Sequence, residues 1–203
     1  MDGRWRLHTL QPPAECGIFR VMTTETDPPS PSSASASTPW SLGEDTGTYS
    51  LADLADFHHA LQQLLPQARR SVVIQAPELD IPWLGARDVS DLLTPVLRSN
   101  PRFHLRLLFN DARNAVRRGH QLIRSAQQFP SYLSLHQAQP EDQRQEAWLI
   151  IDDRALITRN DPQRFSDGTA RPAAPREARN LLQDFEERWQ RSRPAPQLRR
   201  LFL

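Results

Sequence analysis

The sequence contains no lysine: all 25 of its Lys+Arg residues are arginine. That absence excludes a Schiff-base lysine, a phosphate-loop lysine and any phosphodiesterase motif that depends on an ammonium group. One cysteine, Cys16, excludes an intrachain disulfide framework and a Cys-rich zinc site. With only seven glycines, no glycine-rich phosphate loop and no Gly-x-Ser-x-Gly elbow is present. No run approaches about 18 uninterrupted apolar residues, and Met1 to Phe19 carries charge and proline instead of an apolar core. Neither a membrane span nor a signal peptide is expected, and the reading is a soluble, cytoplasmic protein. Charge of either sign is not in excess, since 24 Asp+Glu leave a formal net charge of +1. Composition therefore argues for neither an electrostatically driven nucleic-acid binder nor an acidic tail.

What is present is enough chain, 203 residues, for one domain with a tail. Residues 22–48 form a Pro/Ser/Thr/Ala tract with almost nothing large to bury. Ordering it would cost about 1–2 kcal/mol per residue in backbone entropy, so a disordered linker is expected. Residues 1–21, with Trp5, Leu7, Leu10, Ile18 and Phe19, are too short for their own core and form a lead, disordered or docked. The compact domain is expected over 49–203.

Within it, helical and strand periods alternate. Leu51, Leu54, Leu61, Leu64 and Leu65 share a helical face over 51–68, with Ser50 and Asp53 in the form of a capping box. Ser71 to Gln75 is a β-branched run suited to an inner parallel strand. Val89, Leu92, Leu93, Val96 and Leu97 mark a second helix that Pro95 should kink or end. Phe103 to Phe109 reads as a strand. Asn110 or Asp111 can cap a helix with a stripe from Ala112 to Ala126, and Tyr132 to His136 is a short strand. Ala147 to Ile151 and Ala155 to Thr158 flank Asp152, Asp153 and Arg154 as an antiparallel hairpin. Ala178, Leu181, Leu182, Phe185 and Trp189 form the stripe of a long last helix. The order predicts an α/β fold: a mixed, mostly parallel sheet sandwiched by helices.

The stretch Gln145-Glu-Ala-Trp-Leu-Ile-Ile-Asp152-Asp-Arg154-Ala-Leu-Ile-Thr158 resembles the signature strand pair of the phospholipase D superfamily, His-x-Lys-x4-Asp followed by a turn and a second apolar strand. The element order from about Ser50 resembles one half of that fold. The resemblance implies phosphodiester chemistry with a histidine nucleophile and a phosphate-holding lysine, from two motifs in one chain or a homodimer. Here the histidine position falls on Gln145 and the lysine position on Ala147, and only Asp152 matches. A carboxamide cannot form a phosphohistidine, and a methyl group supplies no charge to the transition state. Where the family has Gly-Ser followed by Asn, this sequence reads Arg159-Asn160-Asp161-Pro162. Arg159 is a candidate replacement cation, although a solvated strand-end arginine is the preferred reading. Asn110-Asp111, Gly119-His120, Trp189 with Ser192, and Leu198 to Leu203 also resemble bacterial degenerate phospholipase D-like domains of unknown function, some fused to acetyltransferases. No acetyltransferase fits in the first 50 residues.

The expectation is a non-catalytic phospholipase D-like domain acting as an interaction or anionic-ligand module, with Asp111, His120, Asp152, Arg159 and Asn160 as candidate ligand-binding residues. Homodimerisation through the Asp152 hairpin is a secondary expectation. No cofactor and no metal are expected: adjacent His58 and His59 point about 100° apart on a helix, and no His-Glu-x-x-His pair is present. The alternative is a residual phosphodiesterase or metal-dependent hydrolase using His120 and the strand-end carboxylates Glu78, Asp80, Asp111 and Asp152. A buried structural role is preferred for His120, and loop or cap roles for the carboxylates. A third reading is nucleic-acid binding through Arg102, Arg106, Arg113, Arg117, Arg118 and Arg124 with Arg188, Arg191, Arg193, Arg199 and Arg200. An ordinary solvated surface is preferred there.

Overall fold

A computed structural model describes residues 39–79, 82–161, 164–195 and 198. The N-terminal lead, residues 22–38 of the expected linker, Asp80, Pro162, Arg199, Arg200 and the last three residues lie outside the described residues.

In chain order the elements are β1 (Tyr49–Leu51), α1 (Leu54–Leu64), β2 (Ser71–Glu78), α2 (Arg87–Ser99), β3 (His104–Asp111), α3 (Arg113–Arg118), α4 (Gln121–Gln128), β4 (Leu133–Gln137), β5 (Ala147–Ile151), β6 (Ala155–Arg159), β7 (Gly168–Arg171), α5 (Pro175–Arg191) and β8 (Arg193–Pro194). Among the described residues they form one eight-stranded sheet ordered β1-β7-β6-β5-β2-β3-β4-β8. The sheet is mixed and helices cover both faces. On one face α1, α2 and α4 pack Phe57, Leu61, Leu93 and Leu122 against Val72, Ile74, Leu105 and Leu107. On the other, α5 lays Ala178 and Phe185 over Val73, Leu108, Trp148 and Ile150. The strand alternation of β2 thus feeds two cores, which is why its run is apolar at nearly every position.

Parallel pairing is confined to β2–β3 and β3–β4, less than the mostly parallel sheet expected. The reason is the hairpin: β5 returns antiparallel on β2, and β6, β7 and β1 extend the sheet in the same up-and-down manner. β1, β7 and β8 were not foreseen, because two to four residues are too few to display a period. Residues 39–48, expected in the linker, belong to the domain: Trp40 is buried and stacks on Tyr49 with ring centroids 4.2 Å apart. One large aromatic there supplies the burial that the surrounding small polar residues cannot.

Local chemistry explains three further differences. Asp53, not Ser50, caps α1, its Oδ1 accepting the Asp56 N–H at 2.9 Å, while Ser50 pairs with Thr169 in the sheet. Pro95 does not end α2: it and Asp91, whose carbonyl it leaves without an N–H partner, both lie on the exposed side of the helix. The helix expected after β3 is two short ones, because Gly119 takes φ of 80° and breaks the register between Arg118 and Gln121.

Candidate functional site

The strands β2, β3, β4 and β6 end on the same edge of the sheet, and β5 and β7 begin there. At that edge Ala147, the position that the resemblance assigns to the lysine, lies directly opposite Arg159 in the β5–β6 ladder. Cross-strand partners share a face, so the arginine side chain projects over the alanine methyl. Both are buried, at 1% and 3% exposure. The preferred reading of Arg159 as a solvated strand-end residue is therefore corrected. Its guanidinium lies between the Phe165 ring at 4.7 Å and the Trp83 ring at 5.4 Å. Phe57 of α1 closes the box, edge-on to both Trp83 and Phe165 at 5.3 and 5.6 Å. The electron-rich faces offset part of the cost of taking a cation out of water. Gly168 opposite Arg159 completes the packing: a Cβ there would stand 2.8 Å from the Thr158 carbonyl oxygen and collide with Phe57. Gln145, the position assigned to the histidine, is exposed in the loop before β5.

Asp152 lies at the opposite edge. Its carboxylate accepts the backbone N–H groups of Arg69 at 2.8 Å, Arg70 at 2.7 Å and Ser71 at 2.9 Å, fixing the entry of β2 beside the hairpin turn. Asp152 and Asp153 take φ of 52° and 58°, left-handed backbone that aspartate tolerates better than most residues, in the three-residue connection that the Arg154 N–H closes on the Ile151 carbonyl at 3.0 Å.

The other candidate residues are distributed along the first edge. Asp111 ends β3 and binds Arg113 through its N–H at 2.8 Å and its guanidinium at 2.6 Å. The hydrogen bonds from Arg113 hold the Asp111 carboxyl below its ordinary range. With Asn110, Val116, Arg117, Gln137 and Gln143 this pair lines an open groove of about 790 Å³. Val116 is the exposed large aliphatic of the described surface, at 45%. His120 is buried and hydrogen-bonded, but between helices rather than within one. Its Nδ1 caps α4 by accepting the Leu122 N–H at 3.2 Å. Asn160 closes the β6–β7 loop on Asp167 through its N–H at 3.0 Å and its Nδ2 at 3.1 Å. The five candidate residues thus do not converge. Arg159 and Asn160 adjoin, Asp111 lies in the groove, His120 is interior and Asp152 is across the sheet. No group of three or more His, Cys, Asp and Glu residues is placed to hold a metal among the described residues. His58 and His59 face different partners, the Pro82 carbonyl at 2.8 Å and the Trp40 ring. Trp83 and Phe165 escaped the sequence reading. Their only signal was a large aromatic in a loop after a strand.

The arginine clusters meet, but through ion pairs. Arg106 of β3 binds Glu186 of α5 at 2.6 Å. Arg188 is buried, donating to Asp184 at 2.9 Å and to Gln75 at 2.7 Å. Arg191 forms a two-pronged bond to buried Asp142 at 2.9 and 2.6 Å.

The family model described as "Domain of unknown function (DUF7931)" matches residues 53–201. The chain belongs to that family. Among curated proteins, none matches the DUF7931 chain in sequence. The fold is similar to that of the archaeal chromatin protein TrmBL2, described by a novel mode of DNA binding, at TM-score 0.53 and 14% identity over 73% of this chain. The chain spans about half of that protein, 54%. The phospholipase D family member Nuc and the protein NucT also match. Nuc from Salmonella typhimurium does so at TM-score 0.49 and 13% identity, over 68% of this chain and 88% of that one. NucT from Helicobacter pylori does so at TM-score 0.48 and 10% identity, over 73% and 98%. No helix among the described residues is long and apolar enough to cross a membrane.

Proposed function

We propose that this DUF7931 domain is a non-catalytic phospholipase D-like half that serves as an interaction or anionic-ligand module. The observation that carries the reading is the buried Ala147–Arg159 pair. At the position where the resemblance puts a phosphate-holding lysine, the chain has a methyl group packed beneath a guanidinium enclosed by Trp83 and Phe165. A cation held in that box contributes to packing and is screened from a phosphodiester arriving from solvent. Exposed Gln145 offers no nucleophile. The groove at the carboxyl ends of β3 and β4 is the ligand face of this reading. That is where α/β sheets place ligands, and Arg117 and Gln143 supply donors around it. Pairing of two copies across the hairpin belongs to the same proposal. Light scattering on an eluting peak supports it with a dimer and removes it with a clean monomer at micromolar concentration.

The deciding experiment is hydrolysis of a chromogenic phosphodiester with and without Mg²⁺ and Mn²⁺. The expected result is the uncatalysed rate in every condition. Turnover that disappears in His120→Ala, with folding unchanged, would replace this reading with the residual enzyme. Nucleic-acid binding has less support, since Arg106, Arg113, Arg188 and Arg191 are engaged by carboxylates and leave Arg102, Arg117, Arg118, Arg124 and Arg193 as the exposed cluster members without a carboxylate partner among the described residues.

A further inference from the structure

At the edge of the sheet opposite the Ala147–Arg159 box lies a second cavity, of about 530 Å³. Its walls are Ser41, Leu42 and Glu44, then Pro66 and Gln67, then Arg69 and Arg70, and finally Asp152 and Arg154. Three arginines from two distant stretches of chain therefore line one concavity. None of the three has an ion-pair partner among the described residues, whereas Arg106, Arg113, Arg144, Arg164, Arg171, Arg188 and Arg191 all do.

The cavity is held open by fixed backbone. The Asp152 carboxylate is taken up by the Arg69, Arg70 and Ser71 N–H groups, so it is already solvated by amides and is a weak competitor for the arginine side chains. The left-handed turn at Asp152 and Asp153 sets the direction in which Arg154 leaves the hairpin. The segment 40–43 forms the opposite wall. It is clasped by the Leu42 N–H to Gln67 Oε1 at 3.0 Å, Gln67 Nε2 to the Trp40 carbonyl at 2.6 Å, and the Gly43 N–H to the Pro172 carbonyl at 2.8 Å. Gly43 is required for this crossing: at φ of 80° it passes over Arg154, and a Cβ would come within 2.7 Å of Arg154 Cδ. Glu44 lies exposed at the rim.

We propose that this cavity is a binding site for a small phosphate-bearing molecule, with Arg69, Arg70 and Arg154 as its recognition residues. Guanidiniums bind phosphate oxygens in pairs through planar, two-pronged hydrogen bonds, and three of them outweigh the two carboxylates of the lining. The volume suits a mononucleotide-sized ligand or a pyrophosphate and is too small for a macromolecule. The inference is independent of the reading given to the Ala147–Arg159 edge and competes with pairing across the Asp152 hairpin, whose turn residues line this cavity.

The test is titration of the full chain with inorganic pyrophosphate and, separately, with adenosine monophosphate, followed by calorimetry at two salt concentrations. The expected result is saturable one-to-one binding that weakens about tenfold or more in Arg154→Gln and in the double variant Arg69→Gln/Arg70→Gln, equivalent to a loss of one charge-assisted contact. Arg117→Gln, in the groove at the other edge, should bind as the unaltered protein does. Partial recovery in Arg154→Lys, with thermal melting unchanged in all variants, supports a guanidinium-specific site. Tighter binding of the nucleotide than of pyrophosphate identifies a nucleotide ligand, and the reverse identifies a bare phosphate group. Absence of saturable binding, or an equal loss in Arg117→Gln, overturns the proposal. Loss in Arg117→Gln alone would overturn it while supporting the groove as the ligand face.

Discussion

The Asp152 carboxylate and the Ser71 N–H, 81 residues apart in sequence, are joined by a 2.9 Å hydrogen bond at the foot of the central sheet. With the parallel bonds from Arg69 and Arg70, this contact docks the hairpin turn on the start of β2 and sets the register of both strands. The one motif residue that matches the resemblance therefore acts on the backbone, on the side of the sheet away from Gln145.

Removing that carboxylate should be expensive. Asp152→Ala leaves three N–H groups short of an acceptor and is expected to lower stability by about 2–4 kcal/mol, with Asp152→Asn milder because one oxygen remains. Urea unfolding at neutral pH measures both. A change below about 0.5 kcal/mol, the usual surface range, would show that water replaces the contact.

Restoring a lysine at the position opposite Arg159 should fail. Ala147→Lys puts an ammonium group into a dry, already cationic spot, where overpacking and like charges on cross-strand partners add. The expected loss is at least about 3 kcal/mol. Ala147→Lys combined with Arg159→Leu should regain part of it, and the double-mutant cycle gives the coupling. An Ala147→Lys protein as stable as the parent would mean that the box opens easily to solvent.

Gly168 is irreplaceable on packing grounds alone. Gly168→Ala brings a methyl group against the Thr158 backbone carbonyl and the buried Phe57 ring, so a loss of about 2–3 kcal/mol is expected. Near-ultraviolet circular dichroism should change with it, since Phe57 contacts Trp83.

Acid should weaken the β4–α5 contact before it reaches the carboxylates. His136 of β4 is half-buried, stacks on Trp189 at 4.0 Å and exchanges a 2.8 Å hydrogen bond with Ser192. Burial holds its pKa below the ordinary 6.5. The folded state thus binds a proton less readily than the unfolded chain. Stability is full above about pH 6.5 and falls as the pH drops toward the folded value. His136→Phe keeps the ring stack and should flatten the stability profile between about pH 7 and 5, around that ordinary value. The same slope in His136→Phe would assign it elsewhere. The Asp142 carboxyl, held low by its bonds from Arg191, loses its contribution only at more acid pH, as it is protonated below the ordinary carboxylate range.

Much of the architecture was legible in the chain. The all-apolar run of β2, the Ala147–Ile151 and Ala155–Thr158 hairpin and the Ala178-to-Trp189 stripe each state their element locally, since burial on one or both faces leaves a period in the residues themselves. The aspartates at 152 and 153 likewise announced a turn. Lysine's absence and the residues Gln145 and Ala147 are also facts of sequence alone, and they narrow the chemistry by themselves.

Location was decided only by the tertiary structure. Whether Arg159 meets water or two aromatic rings depends on loops around Trp83 and Phe165 that carry no periodic signal. The separation of Asp152 from Arg159 is the length of β6, with the turn at its start and Arg159 at its end, and the packing of that strand in the sheet decides what each end meets. The convergence of Arg69, Arg70 and Arg154 around one cavity is of the same kind. Local residue choice fixes which strands and helices form, because it acts over a few neighbours. Sites are assembled from contacts between distant segments, and those are set by packing of the whole chain.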